Sequence, residues 1–231
     1  MRQVVLDTET TGLEVGKGHR IIEIGCIELA ERRPSGRRFH RYLNPQRPVD
    51  EGARAVHGIS DEFLADKPHF AEIAAEFLEF IGGAELVIHN AAFDVGFLDV
   101  ELALVDPSLG RVVDHASVLD TLALAREKYP GQRISLDALC KRLNVDNRHR
   151  ELHGALLDAQ LLADVYLAMT GGQGDLGLAG VQVVAPARVA AQLVARAPLR
   201  VRCADADEAA LHAARLQAID KASKGRCLWR T

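Results

Sequence analysis

The chain has 231 residues, 48% hydrophobic and 26% charged, with a formal net charge of −4. That is enough apolar material for a sizeable core, and no apolar run approaches the ~18 residues needed to cross a bilayer. The negative balance argues against a protein that grips long duplex DNA unaided: a nucleic-acid substrate would be held over a short stretch, with metal ions neutralising phosphate and a partner supplying sustained attachment.

Four cysteines, Cys26, Cys140, Cys203 and Cys227, are scattered without a C-x-x-C pair. Asp7 arrives too early for a signal-peptide apolar region. The chain therefore reads as cytoplasmic, and its thiols as reduced rather than as a disulfide framework or zinc site.

In chain order, residues 3–6 form a short apolar strand ending at Asp7. Residues 20–29 are β-branched and partly alternating, a second strand, and residues 38–43 a third, ended by Asn44-Pro45. Three strands in succession predict an antiparallel meander. Residues 70–81 carry apolar side chains at helical spacing and stop at Gly82-Gly83. A short buried strand over 85–89 leads into a helix with Phe93, Phe97 and Leu98. Beyond Val112-Val113, helical patterns begin near Asp120, at Ser135 as N-cap, and over 154–169. A meander followed by α/β alternation predicts an α/β fold, a mixed sheet flanked by helices.

Gly171-Gly172 closes a first domain, residues 1–172. Residues 179–197 are rich in Ala and Val and read as a linker or a helix. In a distal unit, 198–231, Leu199, Val201 and Cys203 alternate like a strand, residues 207–223 read as a helix ended by Lys224-Gly225, and the single tryptophan is Trp229.

Three segments carry chemistry. In Asp7-Thr8-Glu9-Thr10-Thr11-Gly12 an extended backbone sends Asp7 and Glu9 to the same side. Two close carboxylates repel unless one is protonated or a divalent cation lies between them; a polar turn is the plainer reading. In His89-Asn90-Ala91-Ala92-Phe93-Asp94, Asp94 stands in the first turn of a helix, where it could simply favour the helix dipole. In His153-Gly154-Ala155-Leu156-Leu157-Asp158, Asp158 interrupts an apolar helical run and calls for a partner such as a metal. His153, roughly 140° from Asp158 on an ideal helix, belongs on the preceding turn, leaning over the site.

Taken together in this order, DTETTG, HNAAFD and HGALLDA resemble the motifs of the DEDDh exonucleases, a ribonuclease H-like family named for four acidic residues and a histidine. The segments VHGI, ELVIHNAAFDVGF, SLDALC, LHGALLDAQ, VYLAMTGGQ and CLWR extend the resemblance over nearly the whole chain, toward the branch that proofreads for bacterial DNA polymerase III. The resemblance implies a 3′→5′ DNA exonuclease that releases nucleoside 5′-monophosphates. It implies Asp7, Glu9, Asp94 and Asp158 as ligands of two Mg²⁺ or Mn²⁺ ions, with Asp7 bridging them, and His153 as the general base. Asp7, Glu9, Thr10, His57 and Asp158 would touch the substrate, the 8–11 backbone lining the terminal nucleotide. Relatives place a substrate-contacting glutamate five residues before that histidine; here Gly52 occupies the position and Glu51 is one residue off.

The same resemblance extends to partners. Gln173, Leu176 and Leu178, in residues 173–178, match a short peptide that binds the sliding clamp, with weak binding expected. Leu228 and Trp229 match the region that binds the polymerase catalytic (alpha) subunit. A small theta-like subunit is a further candidate partner; a membrane is not. Two other readings of the chain are an RNA-end nuclease of the same fold and a structural adaptor between polymerase and clamp. The clamp-like peptide and CLWR tail speak against the first, and the intact set of catalytic positions against the second.

Overall fold

The computed structural model describes residues 1–148, 152–171, 204–225 and Trp229. Two compact units are present, Met1–Ala179 and Gly180–Thr231.

The first unit is built on a five-stranded sheet in the order β3-β2-β1-β4-β5. The strands are β1 (Arg2–Thr10), β2 (Ile21–Ala30), β3 (Arg33–Tyr42), β4 (Glu85–Ile88) and β5 (Ser117–Asp120). β1, β2 and β3 pair antiparallel, as the meander predicts, while β4 and β5 add parallel to β1. Parallel neighbours need crossovers, and these carry α3 (Phe70–Ile81) and α4 (Ala91–Val105). The mixed sheet flanked by helices stands as expected.

Strand periodicity decides what each face of β1 meets. Val4 and Leu6 enter the large core with Phe77 of α3 and Phe97 of α4. Val5 points to the other face, where it packs with Leu162 and Tyr166 of α8 (Ala155–Thr170). Side chains alternate along a strand, so Asp7 and Glu9 follow Val5 toward α8, and Thr8 follows Leu6 toward α4.

Local signals agree with most boundaries. The Ser135 side chain accepts the Ala138 N–H and starts α7 (Leu136–Leu143). Glu72 Oε1 accepts the His69 N–H at 2.7 Å at the start of α3, and Gly83, at φ 69°, follows its end. Asp120 caps α6 (Thr121–Lys128) through the Leu122 N–H at 2.8 Å.

Some boundaries differ from the sequence reading. β1 does not end at Asp7; pairing with β2 carries it to Thr10, with a register shift between Glu9 and Thr10. β3 begins at Arg33 because Ala30↔Arg33 pairing holds its charged first half as an exposed edge. Two helices before the first crossover, α1 (Glu51–His57) and α2 (Asp61–Leu64), and the short α5 (Val112–His115) and β5 have weak local patterns.

In the second unit, α9 (Ala206–Ala222) starts at a capping box in which Asp205 accepts the Asp207 and Glu208 N–H groups, and Glu208 accepts that of Asp205. None of its residues is buried, and Leu211 and Ile219 are exposed. The expected strand at 199–203 and the linker at 179–197 lie outside the described residues.

Candidate active site

The three motif segments converge on one cleft of about 430 Å³, lined by Asp7, Glu9, Asp94, His153 and Asp158 among others. Ligand atoms of Glu9, His153 and Asp158 all lie within 4.8 Å of one another. Asp7 and Glu9 come from the middle and end of β1, Asp94 from the first turn of α4, and Asp158 from the first turn of α8.

The approach of α8 to the sheet depends on Gly25. This residue pairs with Asp7 across β1 and β2. A Cβ built there would fall 2.2 Å from the Leu156 nitrogen and 2.4 Å from the Ala155 oxygen. Only a bare backbone lets the N-terminus of α8 settle beside Asp7, which brings Asp158 over β1.

Asp94 is buried and held from β1: Thr8 donates to its Oδ1 through the backbone N–H at 3.1 Å and the hydroxyl at 2.7 Å. Burial, helped by the charge of Asp120, pushes the Asp94 carboxyl up to about 7 against those hydrogen bonds. Its carboxylate thus engages β1, which a simple helix-terminal role does not require.

Asp158 is also buried, and its Oδ2 lies 3.2 Å from Nδ1 of His153, whose side chain is 45% exposed. His153 precedes the helix, on the turn the sequence predicts, and its backbone N–H donates to the Val56 carbonyl at 3.2 Å. That bond ties the turn to the end of α1, where His57 sits. His57 Nδ1 accepts the Ile59 N–H at 3.0 Å, which places the ring proton on Nε2. Burial lowers the His57 pKa, so the ring is neutral at pH 7.

A second pocket of about 370 Å³ adjoins the cleft, with Thr8, Glu9 and Phe93 bordering both. Thr10 and His57 line it. The structure therefore brings together every candidate ligand, base and substrate residue named from the first domain. Among the partner candidates, Trp229 is 76% exposed; Gln173, Leu176, Leu178 and Leu228 lie outside the described residues.

Sequence reading missed several participants. Asp137, at the start of α7, lines the cleft, as does His89, whose Nδ1 lies 2.9 Å from the Thr121 hydroxyl. Glu23 sits across from Glu9 in the sheet, buried, with Oε1 2.7 Å from His40 Nε2. Its signal was a lone carboxylate in the apolar run Ile21-Ile22-Glu23-Ile24. Asp50 lines the second pocket, and nothing in its local sequence marks it.

The donor set suits a divalent cation: acidic oxygens converge where uncompensated charge would be costly, and hard cations prefer such donors. A mixed sheet with these carboxylates at the junction of β1, α4 and α8 defines a nuclease of the exonuclease class, and the exonuclease family model matches residues 4–166.

The chain is 53% identical to DNA polymerase III subunit epsilon of Escherichia coli K12 over 237 residues, covering 99% of this chain and 97% of that one. It is 50% identical to the subunit of the same name from Pasteurella multocida, covering 99% and 93%. For the Rickettsia typhi subunit the identity is 53% over 173 residues, 75% and 76% of the two chains. Among solved structures, exonuclease X in complex with 5′-overhanging duplex DNA is similar at 26% identity and a TM-score of 0.59, over 74% of this chain and 93% of that one. Exonuclease I, at 17% identity, TM-score 0.64 and 74% and 41% coverage, shares the fold. The chain belongs to the epsilon-subunit family of DNA polymerase III, whose members are proofreading exonucleases.

Proposed function

We propose that this chain removes nucleotides one at a time from the single-stranded 3′ end of DNA, and that Asp7, Glu9, Asp94 and Asp158 would hold two divalent cations, Mg²⁺ or Mn²⁺. The observation that carries this is the meeting of carboxylates from three distant segments on one cleft, with His153 at its rim. When bound, the ions supply charge neutralisation at the phosphate and stabilise the attacking and leaving oxygens of an in-line displacement.

The protein's own groups do the rest. In the neutral His153 ring, Nδ1–H donates to Asp158 Oδ2, which leaves Nε2 as the basic nitrogen. That nitrogen takes a proton from the attacking water as its oxygen bonds to phosphorus. The phosphorus–oxygen bond to the penultimate sugar breaks, the released sugar oxygen takes a proton from solvent to become the new 3′-hydroxyl, and a nucleoside 5′-monophosphate leaves. Thr8 keeps Asp94 in place, and the turn holding His153 is fixed through Val56. The terminal nucleoside occupies the adjoining pocket against the 8–11 backbone and His57, an apolar enclosure that receives a base released from stacking.

The polymerase alpha subunit binds through the distal unit around Leu228 and Trp229, the sliding clamp weakly through Gln173, Leu176 and Leu178, and a small theta-like subunit elsewhere. The exposed Trp229 and the unburied α9 with Leu211 and Ile219 support a surface awaiting a partner. We infer that the chain acts in the bacterial cytoplasm. Among the described residues no helix is long and apolar enough to cross a membrane.

The test is digestion of a labelled primer with a paired DNA end, a mismatched DNA end and an RNA end, each with Mn²⁺ and with chelator. Removal of the mismatched DNA nucleotide in Mn²⁺ only is expected. Digestion that survives chelation overturns the cation assignment, and faster loss of the RNA end overturns the substrate.

A further inference from the structure

Glu23 is a buried carboxylate that takes no part in the proposed cleavage. It stands across from Glu9 in the pairing of β1 with β2 and across from Tyr42 in the pairing of β2 with β3, so its side chain shares the α8 face with Glu9. It is 2% exposed and lines neither the cleft nor the adjoining pocket.

Its two oxygens have different surroundings. Oε1 lies 2.7 Å from His40 Nε2, toward the edge of the sheet. Oε2 is buried without a hydrogen-bond partner among the described residues. That oxygen sits on the α8 side: a Cβ built on Gly154, the N-cap of α8, would come 3.9 Å from it. A carboxylate oxygen held this way is costly unless a donor faces it.

His57 has the matching donor. The ring is 5% exposed, its Nδ1 is taken by the Ile59 N–H, and its Nε2, which carries the ring proton, is likewise buried without a partner among the described residues. The two orphaned atoms lie at the two ends of one link: the bond from the His153 N–H to the Val56 carbonyl joins the residue before Gly154 to the residue before His57. Burial lowers the His57 pKa, and the charge of Glu23 is the largest effect opposing it, so the two groups act on each other.

We infer that Glu23 is a positioning residue for the terminal nucleotide: its Oε2 draws the Nε2–H of His57 toward the sheet and so fixes the ring as a wall of the pocket. This rests on the placement of the terminal nucleoside against His57 proposed above. Glu23 acts through His57 alone. A wall held in one orientation serves substrate and transition state equally, so its effect falls on KM.

The experiment uses the full chain in Mn²⁺ on single-stranded DNA over a range of concentrations, giving kcat and KM for Glu23→Met, Glu23→Gln, His57→Phe and the double variant Glu23→Met, His57→Phe. Glu23→Met keeps the side-chain length without an acceptor. It is expected to raise KM ~10-fold, the worth of a hydrogen bond to a charged group, with kcat unchanged. Glu23→Gln keeps an oxygen for the ring N–H and should recover most of the loss. In the His57→Phe background Glu23→Met should change nothing further, since its route to the substrate is gone. In Mg²⁺ the His57 Nε2–H, assigned by its loss in His57→Phe, should give a proton NMR signal protected from solvent exchange in wild type and in Glu23→Gln, and lost in Glu23→Met. A wild-type KM in Glu23→Met, a loss carried by kcat, or losses that add in the double variant overturns the inference while the nuclease stands. Should Glu23→Met fail to fold, Glu23→Gln decides: disappearance of the protected signal there overturns the inference, and its survival with a near-normal KM supports it. A wild type that digests no strand overturns the nuclease reading beneath, and the ring N–H signal then tests the Glu23–His57 pairing by itself.

Discussion

Gly25 and Leu156 meet so closely that a single methyl group on the glycine would sit 2.2 Å from the leucine's backbone nitrogen. Gly25→Ala must therefore push the first turn of α8 away from β1, since both contacts are backbone and neither can rotate aside. We expect a loss of ~1–3 kcal/mol in stability, in the range of overpacked cores, and a larger proportional loss of nuclease activity because Asp158 retreats with the helix. Urea unfolding and primer digestion measured side by side check this; an alanine variant with full activity refutes the packing account.

His153 is half in solvent, so its removal should cost little stability and much rate. His153→Ala is expected to slow cleavage by ~10²–10⁴-fold, the usual contribution of a general base. A change within a factor of two excludes it from that role.

Asp94 carries a sign that can be read thermodynamically. Burial raises its folded pKa to about 7, above the ~3.9 of an unfolded aspartate. In the metal-free protein the folded state binds more protons between those values, so stability attributable to Asp94 is present below ~4 and declines as pH rises toward 7. Asp94→Asn, which stays neutral, should thus raise the melting temperature of metal-free protein at pH 8 while eliminating cleavage. If the asparagine variant melts lower than wild type at pH 8 and not at pH 4, the sign is wrong.

Arg20 and Glu101 form a two-pronged pair at 2.7 and 2.6 Å, and Glu101 Oε1 also accepts the Ile21 N–H at 3.1 Å. Glu101 is buried. Glu101→Ala leaves a guanidinium and a backbone donor without their acceptor, for an expected loss of ~3–5 kcal/mol. An Arg20→Met, Glu101→Leu double variant should recover part of that, since it removes both charges. Chemical denaturation of the three proteins decides; a single variant as stable as wild type removes the pair from the account of how α4 is held against β2.

Trp229, exposed in its own unit, is expected to serve the polymerase contact and not the nuclease. Trp229→Ala should weaken binding to the polymerase alpha subunit, read by titration calorimetry, with an unchanged rate on free single strands. Unaltered binding removes it as an anchor.

Much of this molecule was legible in residue order alone. The meander, α3 with its glycine stop, the Ser135 cap and the leaning position of His153 all follow from short-range rules: periodicity, capping and the freedom of glycine. The acidic motifs announced themselves because carboxylates in apolar surroundings are costly, and Asp158 is the clearest case. α1, α2 and β5 were not legible, since short elements owe their form to pairing and packing with distant residues.

The sequence by itself determined the kinds of donor available and the secondary structures that bear them, because those depend on neighbours within a few residues. Only the tertiary structure decided that Asp7, Asp94 and Asp158 share one cleft and that Gly25 admits α8 to it. Such relations join residues far apart in the chain, and they are fixed by how strand faces and helix ends pack, a property no local stretch contains.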